Sequence, residues 1–309
     1  MKVRKRFVFY AAFLFVLMGL TSCSFKKMVL KKVATTLTEP QGEKVFTGDN
    51  DPELVADALP FAIKLYESLL MEIPFHRRLR LKTGSMYVMY AHAFLDIPSR
   101  MLTDENYCEK ERLQQRAKNL YMRGRDILLT ALEKKYPGFL KRLNGKNFDE
   151  AVKQVKKGDI DLLYWAGAGW MGALSLDPFD VDLGMTPLRP GALLQRAMEI
   201  DEHYGNGAIH EFFILYYGSL PDHMGGDAAL ARQHFKEAVE ISGGESSSPY
   251  ISLAITVVRN EQNREEFKSL LVKALAIIDT NAQPGNELID MLNRRRAEWL
   301  LAHIDDFFL

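Results

Sequence analysis

The stretch DPELVADALPFAIKLYESLL, residues 51–70, sets the reading of the whole chain. Asp51 is a good N-cap, because its carboxylate can accept a backbone N–H that the first helical turn leaves unpaired. Pro52 suits the first helical position, where no amide hydrogen is needed. Glu53 places negative charge at the positive end of the helix dipole. Leu54, Ala58, Phe61, Ala62, Leu65, Tyr66, Leu69 and Leu70 then recur every three or four residues. That is the period of an amphipathic helix, not the alternation of a strand. Pro74 ends it.

The pattern repeats downstream. Helices are predicted near Arg77 to Leu95, broken by Pro98, then Asp104 to Tyr136, Phe148 to Lys157, Asp159 to Leu176 and Pro190 to His203. Ala208 to Leu220, Gly226 to Ser242, Pro249 to Asn260, Arg264 to Asp279 and Glu287 to Phe308 follow. Pro178, Pro187, Gly205 with Gly207, Pro221 with Gly225, Gly243-Gly244 and Pro284-Gly285 punctuate them. The β-branched segment Ile251 to Val258 is the best strand candidate, but helices flank it and it reads as helix. The expected fold is all-α with about 11–12 helices.

Those helices carry a degenerate repeat. Tetratricopeptide units are ~34-residue helix pairs in which a small residue lets the neighbouring helix approach and an aromatic fills the gap one turn away. Ala62, Tyr66, Leu69 and Pro74 fit that pattern with one substitution, Ala117, Tyr121 and Gly124 loosely, and Ala231, Phe235 and Ala238 fully. One pair cannot bury its apolar face alone, so such pairs stack into a curved α-solenoid. Residues 51–309 are therefore expected to form one tetratricopeptide-like helical domain.

Upstream lies a different signal. Met1 to Arg6 are basic, Phe7 to Leu20 are uncharged and almost all apolar, and Leu20-Thr21-Ser22-Cys23 follows. A charged start, a short apolar run and small residues describe a secretory leader over residues 1–22, and the run is short of the ~20 residues of a membrane span. The L-[TS]-S-C pattern resembles a bacterial lipobox. It implies cleavage before Cys23 and acyl chains on that residue. Residues 23–50 read as a lipidated tether. Its Lys26, Lys27, Lys31 and Lys32 lie either against anionic headgroups or free in solvent.

Lys and Arg number 40 and Asp and Glu number 40. Without the four basic residues of the leader the balance is 36 against 40, or −4, which excludes an electrostatic case for nucleic acid. Cys23 and Cys108 are the two cysteines; if Cys23 carries lipid, Cys108 has no internal partner, and neither a disulfide framework nor a cysteine zinc site is expected. His203, His210 and Glu211 lack metal-ligand spacing. Asp305-Asp306 reads as a solvated face. No catalytic motif, metal set or cofactor loop is present. Trp165-Ala-Gly-Ala-Gly-Trp170-Met-Gly172 is the unusual segment, because each helical glycine costs ~1 kcal/mol relative to alanine. Close helix crossing offsets that cost, or the segment walls a cavity or pore. Trp165 and Trp170, with Tyr87 and Tyr90 after Gly84-Ser85, are the candidate ligand contacts. Their alternative role is core packing.

The order of several motifs resembles the T-component (TatT) lipoproteins of tetratricopeptide-associated TRAP transporters. The residues that carry it are those of 51–68, Thr83-Gly-Ser-x-Tyr87, Leu163-Tyr-Trp165, Tyr204-Gly-Asn-Gly-Ala-Ile-His210-Glu-Phe, Gly225-Gly-Asp227, Ile241-Ser-Gly-Gly244 and Arg294-Arg-Arg-Ala-Glu-Trp. The resemblance implies a periplasm-facing lipoprotein in the cell envelope of a diderm bacterium, with helices around an apolar cleft. It further implies a homotrimer with a central pore and a hydrophobic ligand. The implied partners are a periplasmic solute-binding protein (the P-component) and an ion-driven TRAP permease. Cys108 and the basic turn Pro74-Phe-His-Arg-Arg78 depart from the family pattern. Lipobox and repeats alone also fit a scaffold for envelope assembly.

Overall fold

The structure, a computed structural model, describes residues 25–280 and 284–308. The expected leader 1–22 and the lipidation residue Cys23 lie outside the described residues. Helix α1 covers 25–37. It is followed by α2 (Pro40–Thr47), α3 (Pro52–Glu72), α4 (Arg77–Ala91), α5 (Ile97–Arg100), α6 (Tyr107–Lys135), α7 (Phe139–Leu143) and α8 (Phe148–Lys153). Then come α9 (Ile160–Leu176), α10 (Val181–Gly184), α11 (Leu188–Ile200), α12 (Ala208–Ser219), α13 (Ala228–Ile241), α14 (Ser248–Leu253), α15 (Arg264–Thr280) and α16 (Glu287–Ala302). No strand occurs among the described residues. The all-α repeat fold is as expected. The helices outnumber the expectation because short ones fill loops and two more occupy the segment read as a tether.

That segment is the first correction. Residues 25–37 and Pro40–Thr47 are helical and lie on the domain. Ala34 is fully buried and Thr38 nearly so. The Tyr66 hydroxyl donates to the Leu37 carbonyl at 2.6 Å. Two small residues four apart make a contact face too narrow to stand out among lysines and threonines in the sequence.

Helix α3 starts as its sequence says, with Asp51 Oδ1 accepting from the Leu54 amide at 3.0 Å. Its buried face is another matter. Pro52, Val55, Leu59, Ile63 and Tyr66 are buried, while Leu54, Phe61 and Leu65 are 57, 74 and 40% exposed. The helix carries two apolar stripes, and the period alone does not say which one meets the core.

Pro98 does not end the second long helix. A wide π turn, His92–Asp96, follows α4 and leads into α5. Proline cannot donate to the carbonyl four residues back, and the ladder widens just before it. A second π turn, Ala254–Val258, prolongs α14, so the strand candidate is helical.

Two apolar cores result. The first runs from Ala34 to Tyr216 and takes in Leu288 and Leu292 of α16. The second holds Ile214, α13 to α15, and Ala297 and Leu300 of α16. Helices α12 and α16 are walls shared by both. At one edge of the first core Asp159 is fully buried and accepts from Arg77 Nε at 2.7 Å, Lys135 Nζ at 2.5 Å and the Tyr136 hydroxyl at 2.7 Å. Burial alone would raise its pKa. The bonds from Lys135 and Tyr136 and the charge of Arg77 outweigh that and hold it below the usual carboxylate value.

Candidate functional site

Glycines bring the central helices together. A Cβ on Gly124 of α6 would stand 2.7 Å from the Gly84 carbonyl of α4, and one on Gly167 of α9 would stand 1.9 Å from Leu194 Cδ2 of α11. One on Gly172 would strike the Tyr121 ring at 2.6 Å. The glycine run of α9 thus serves close helix crossing, which is where its propensity cost is offset.

Where α4 and α9 face α1 and α2, a small cleft remains. Leu37, Phe46, Tyr66, Met86, Met89 and Trp165 line it. Its free volume is about 30 Å³, room for only a water or two. Of the four candidate aromatics, Trp165 lines this cleft. Tyr87 is buried under the Arg123 guanidinium, 5.0 Å from its ring, and its hydroxyl faces the Glu67 carboxylate. Tyr90 packs on Phe94 at 5.5 Å. Trp170 is buried, donates from Nε1 to Thr186 Oγ1 at 3.1 Å, and lies 4.6 Å from Arg125. These three aromatics do not line the cleft.

The face of α4 that lines the cleft continues into a polar interior. Lys82, Ser85, Met86 and Met89 are followed, at the same spacing of three and four, by His92 and Asp96 of the π turn. The Tyr121 hydroxyl, in the room left by Gly172, donates to Asp96 Oδ2 at 3.0 Å. Having given its one proton there, it accepts from His92 Nδ1 at 3.1 Å, which fixes the His92 tautomer. Arg100 Nε completes the chain at 2.5 Å from Asp96 Oδ1. His92 keeps a solvent-exposed edge, yet the protein crowded around it pushes it down to about 4, against the pull of Asp96.

Opposite stand Glu211 of α12 and Arg296 of α16. Burial raises Glu211 to about 7, although Ser252 Oγ donates to it at 3.3 Å. Arg296 lies four residues from both Leu292 and Leu300, on the inward face of its helix. Burial, then the positive charge of Arg100, lowers it to about 10, while Asp96 and Glu211 act the other way. A charged cluster of Asp96, Arg100, Glu211 and Arg296 thus lies beyond the Trp165 cleft along α4 and its π turn.

This polar end was not read from the sequence. His92, Asp96, Tyr121, Glu211 and Arg296 are spread over more than 200 residues (296 − 92 = 204). The available signal was weak: single charged residues inside otherwise apolar helices, as in AIHEFFILYY, residues 208–217. His210 meets a different partner, His234, with Nδ1 to Nδ1 at 3.0 Å, and His203 stands exposed beside Glu202. Cys108 is an exposed thiol. Asp305 is 84% exposed and pairs with Arg264. Among the described residues no cluster of three or more His, Cys, Asp or Glu could hold a metal, and no helix is long and apolar enough to cross a membrane.

Comparison with known proteins agrees with the order of the motifs. A protein of Treponema pallidum (strain Nichols), described only as uncharacterized, is 32% identical over 302 residues, covering 93% of each chain. Residues 48–308, from just before α3 to the last turn after α16, match the family described as TRAP transporter T-component. The stacked helices and the sequence that builds them place this chain in that family: it belongs to the TRAP transporter T-components.

Proposed function

We propose that the protein is the lipid-anchored accessory subunit of a TRAP transporter, held to a membrane by acyl chains on Cys23 and facing the periplasm. It docks a periplasmic solute-binding protein that serves the permease. The single observation that carries this reading is the family match over residues 48–308. Residues 1–22 act as the leader.

The cleft beside Trp165 takes a hydrophobic molecule, its polar end directed toward Arg296. At about 30 Å³ the cleft is narrow, so lining side chains such as Leu37 and Phe46 must shift to admit a molecule larger than water. The exposed stripe of Leu54, Phe61 and Leu65 on α3 suits burial between subunits of a trimer, since grouped exposed apolar side chains mark contact surfaces.

The test is co-purification from detergent-solubilised membranes of cells that express the subunit with a candidate solute-binding protein and permease. Retention of both partners supports the reading. Failure of the purified proteins to associate at any concentration overturns it. Cys23→Ser releases the subunit into the soluble fraction if the anchor is as proposed.

A further inference from the structure

The described part of helix α1 starts at Phe25, two residues after Cys23, and rests on the domain by a narrow edge. Leu30, Ala34, Thr35 and Thr38 turn inward. Phe25, Val29, Val33 and Leu37 do not. They recur every fourth residue and so form one ridge, and they are 64, 43, 43 and 36% exposed. The turn that ends α3 lies alongside. Lys26 Nζ meets Glu72 at 3.0 Å, and Thr35 Oγ1 meets His76 Nε2 at 3.3 Å. That turn adds Met71 and Phe75, 85 and 73% exposed.

The same region is basic. Lys27, Lys31 and Lys32 of α1 and Arg78 after the turn have no carboxylate partner among the described residues, although the whole chain balances 40 basic against 40 acidic residues. An apolar ridge between unpaired cations suits an anionic bilayer. The ridge enters the headgroup boundary and the cations meet phosphates.

We propose that α1 and the 71–78 turn form a membrane-docking surface that lays this domain on an anionic bilayer, with the Phe25–Val29–Val33 ridge in the interface. The proposal rests on the reading of Cys23 as the anchor point: two residues span at most ~7 Å, so acyl chains there hold α1 at the bilayer. A second copy of the chain is the poorer occupant, because two such basic faces repel. Leu37, the last residue of the ridge, also lines the cleft with Met86 and Trp165, so the docked edge and the cleft are neighbours.

The experiment uses the chain from residue 23 to 309 with Cys23→Ala, which carries no acyl group, and sedimentation with vesicles. Vesicles of phosphatidylglycerol with phosphatidylethanolamine are compared with vesicles of phosphatidylcholine alone. Binding to the anionic vesicles, weakened by salt, is expected. Val29→Asp and Phe25→Asp should each lower it about tenfold or more, with unchanged circular dichroism because both side chains are exposed. Absence of binding to anionic vesicles overturns the proposal. So does binding that Val29→Asp leaves intact, or a Val29→Asp variant that alters the subunit number by native mass while binding persists. The anchor is read separately, from the intact mass of wild-type protein taken from membranes. A lipidated Cys23 with no vesicle binding by the Cys23→Ala chain would sink the docking surface and spare the anchor.

Discussion

Arg295 Nη2 of α16 donates to Glu53 Oε1 of α3 at 2.7 Å, across 242 residues of sequence. The last helix therefore returns to the first turn of the repeat domain. Its neighbour Arg294 pairs with Asp279 on α15, and Arg296 points inward. Three successive arginines thus face three directions, as helical geometry requires.

The returning helix is held by its leucines more than by that ion pair. Arg295 and Glu53 are 52 and 68% exposed, and exposed pairs contribute ~0–1 kcal/mol. Leu288 and Leu292 are buried in the first core. Leu292→Ala should cost ~2–5 kcal/mol, and Arg295→Ala under ~1 kcal/mol. Urea unfolding of the two variants checks the contrast, and equal losses would refute it.

Asp159 should be the most sensitive carboxylate. Removing it strands Arg77 and Lys135, although each is partly exposed, at 37 and 48%. Asp159→Ala is expected to cost ~2–4 kcal/mol, somewhat less than for a wholly buried pair. The folded-state pKa of Asp159 is lowered. Its stabilisation is therefore present above the unfolded carboxylate pKa and fades as pH falls through the folded value. The variant should show a shallower loss of stability at strongly acid pH than the wild type.

Histidines dominate the milder acid range. His234 is held neutral, lowered from 6.5 to about 4 by burial and then by His210. His92 is lowered likewise by the protein around it, its weight reduced because it is open to solvent. The unfolded chain binds those protons more readily, so stability falls as pH drops from 6.5 toward 4. Glu211 opposes this. Raised from 4.5 to about 7, it stabilises fully below 4.5, and that contribution is lost as pH rises through 7. Glu211→Gln should therefore gain ~1–3 kcal/mol relative to wild type at pH 8 and steepen the acid loss. Melting temperatures from pH 4 to 8 test both signs.

Two glycines should respond in opposite ways. Alanine at Gly124 meets the Gly84 carbonyl, which is backbone and cannot turn aside, at 2.7 Å. Overpacking exceeds the gain in helix propensity, and a net loss of ~1–2 kcal/mol is expected. Gly158 has nothing within 4 Å of an added Cβ. Gly158→Ala should be neutral or slightly stabilising. Thermal melts of the pair separate crowding from propensity.

Local sequence determined the helices, most of their ends and the stacking of small against aromatic residues. Asp51, Ala117, Tyr121, Ala231 and Ala238 do what their spacing says, because capping and periodicity act within a few residues. The order of the motifs also identified the family. Tertiary structure decided the rest. It chose Val55, Leu59 and Ile63 over Leu54, Phe61 and Leu65 as the buried stripe of α3, seated α1 and α2 on the domain, and left Trp165 alone among four aromatics at the cleft. It also gathered His92, Asp96, Glu211 and Arg296 into one cluster. Those outcomes depend on which helices meet, and contacts between distant residues leave no periodic trace in a single chain.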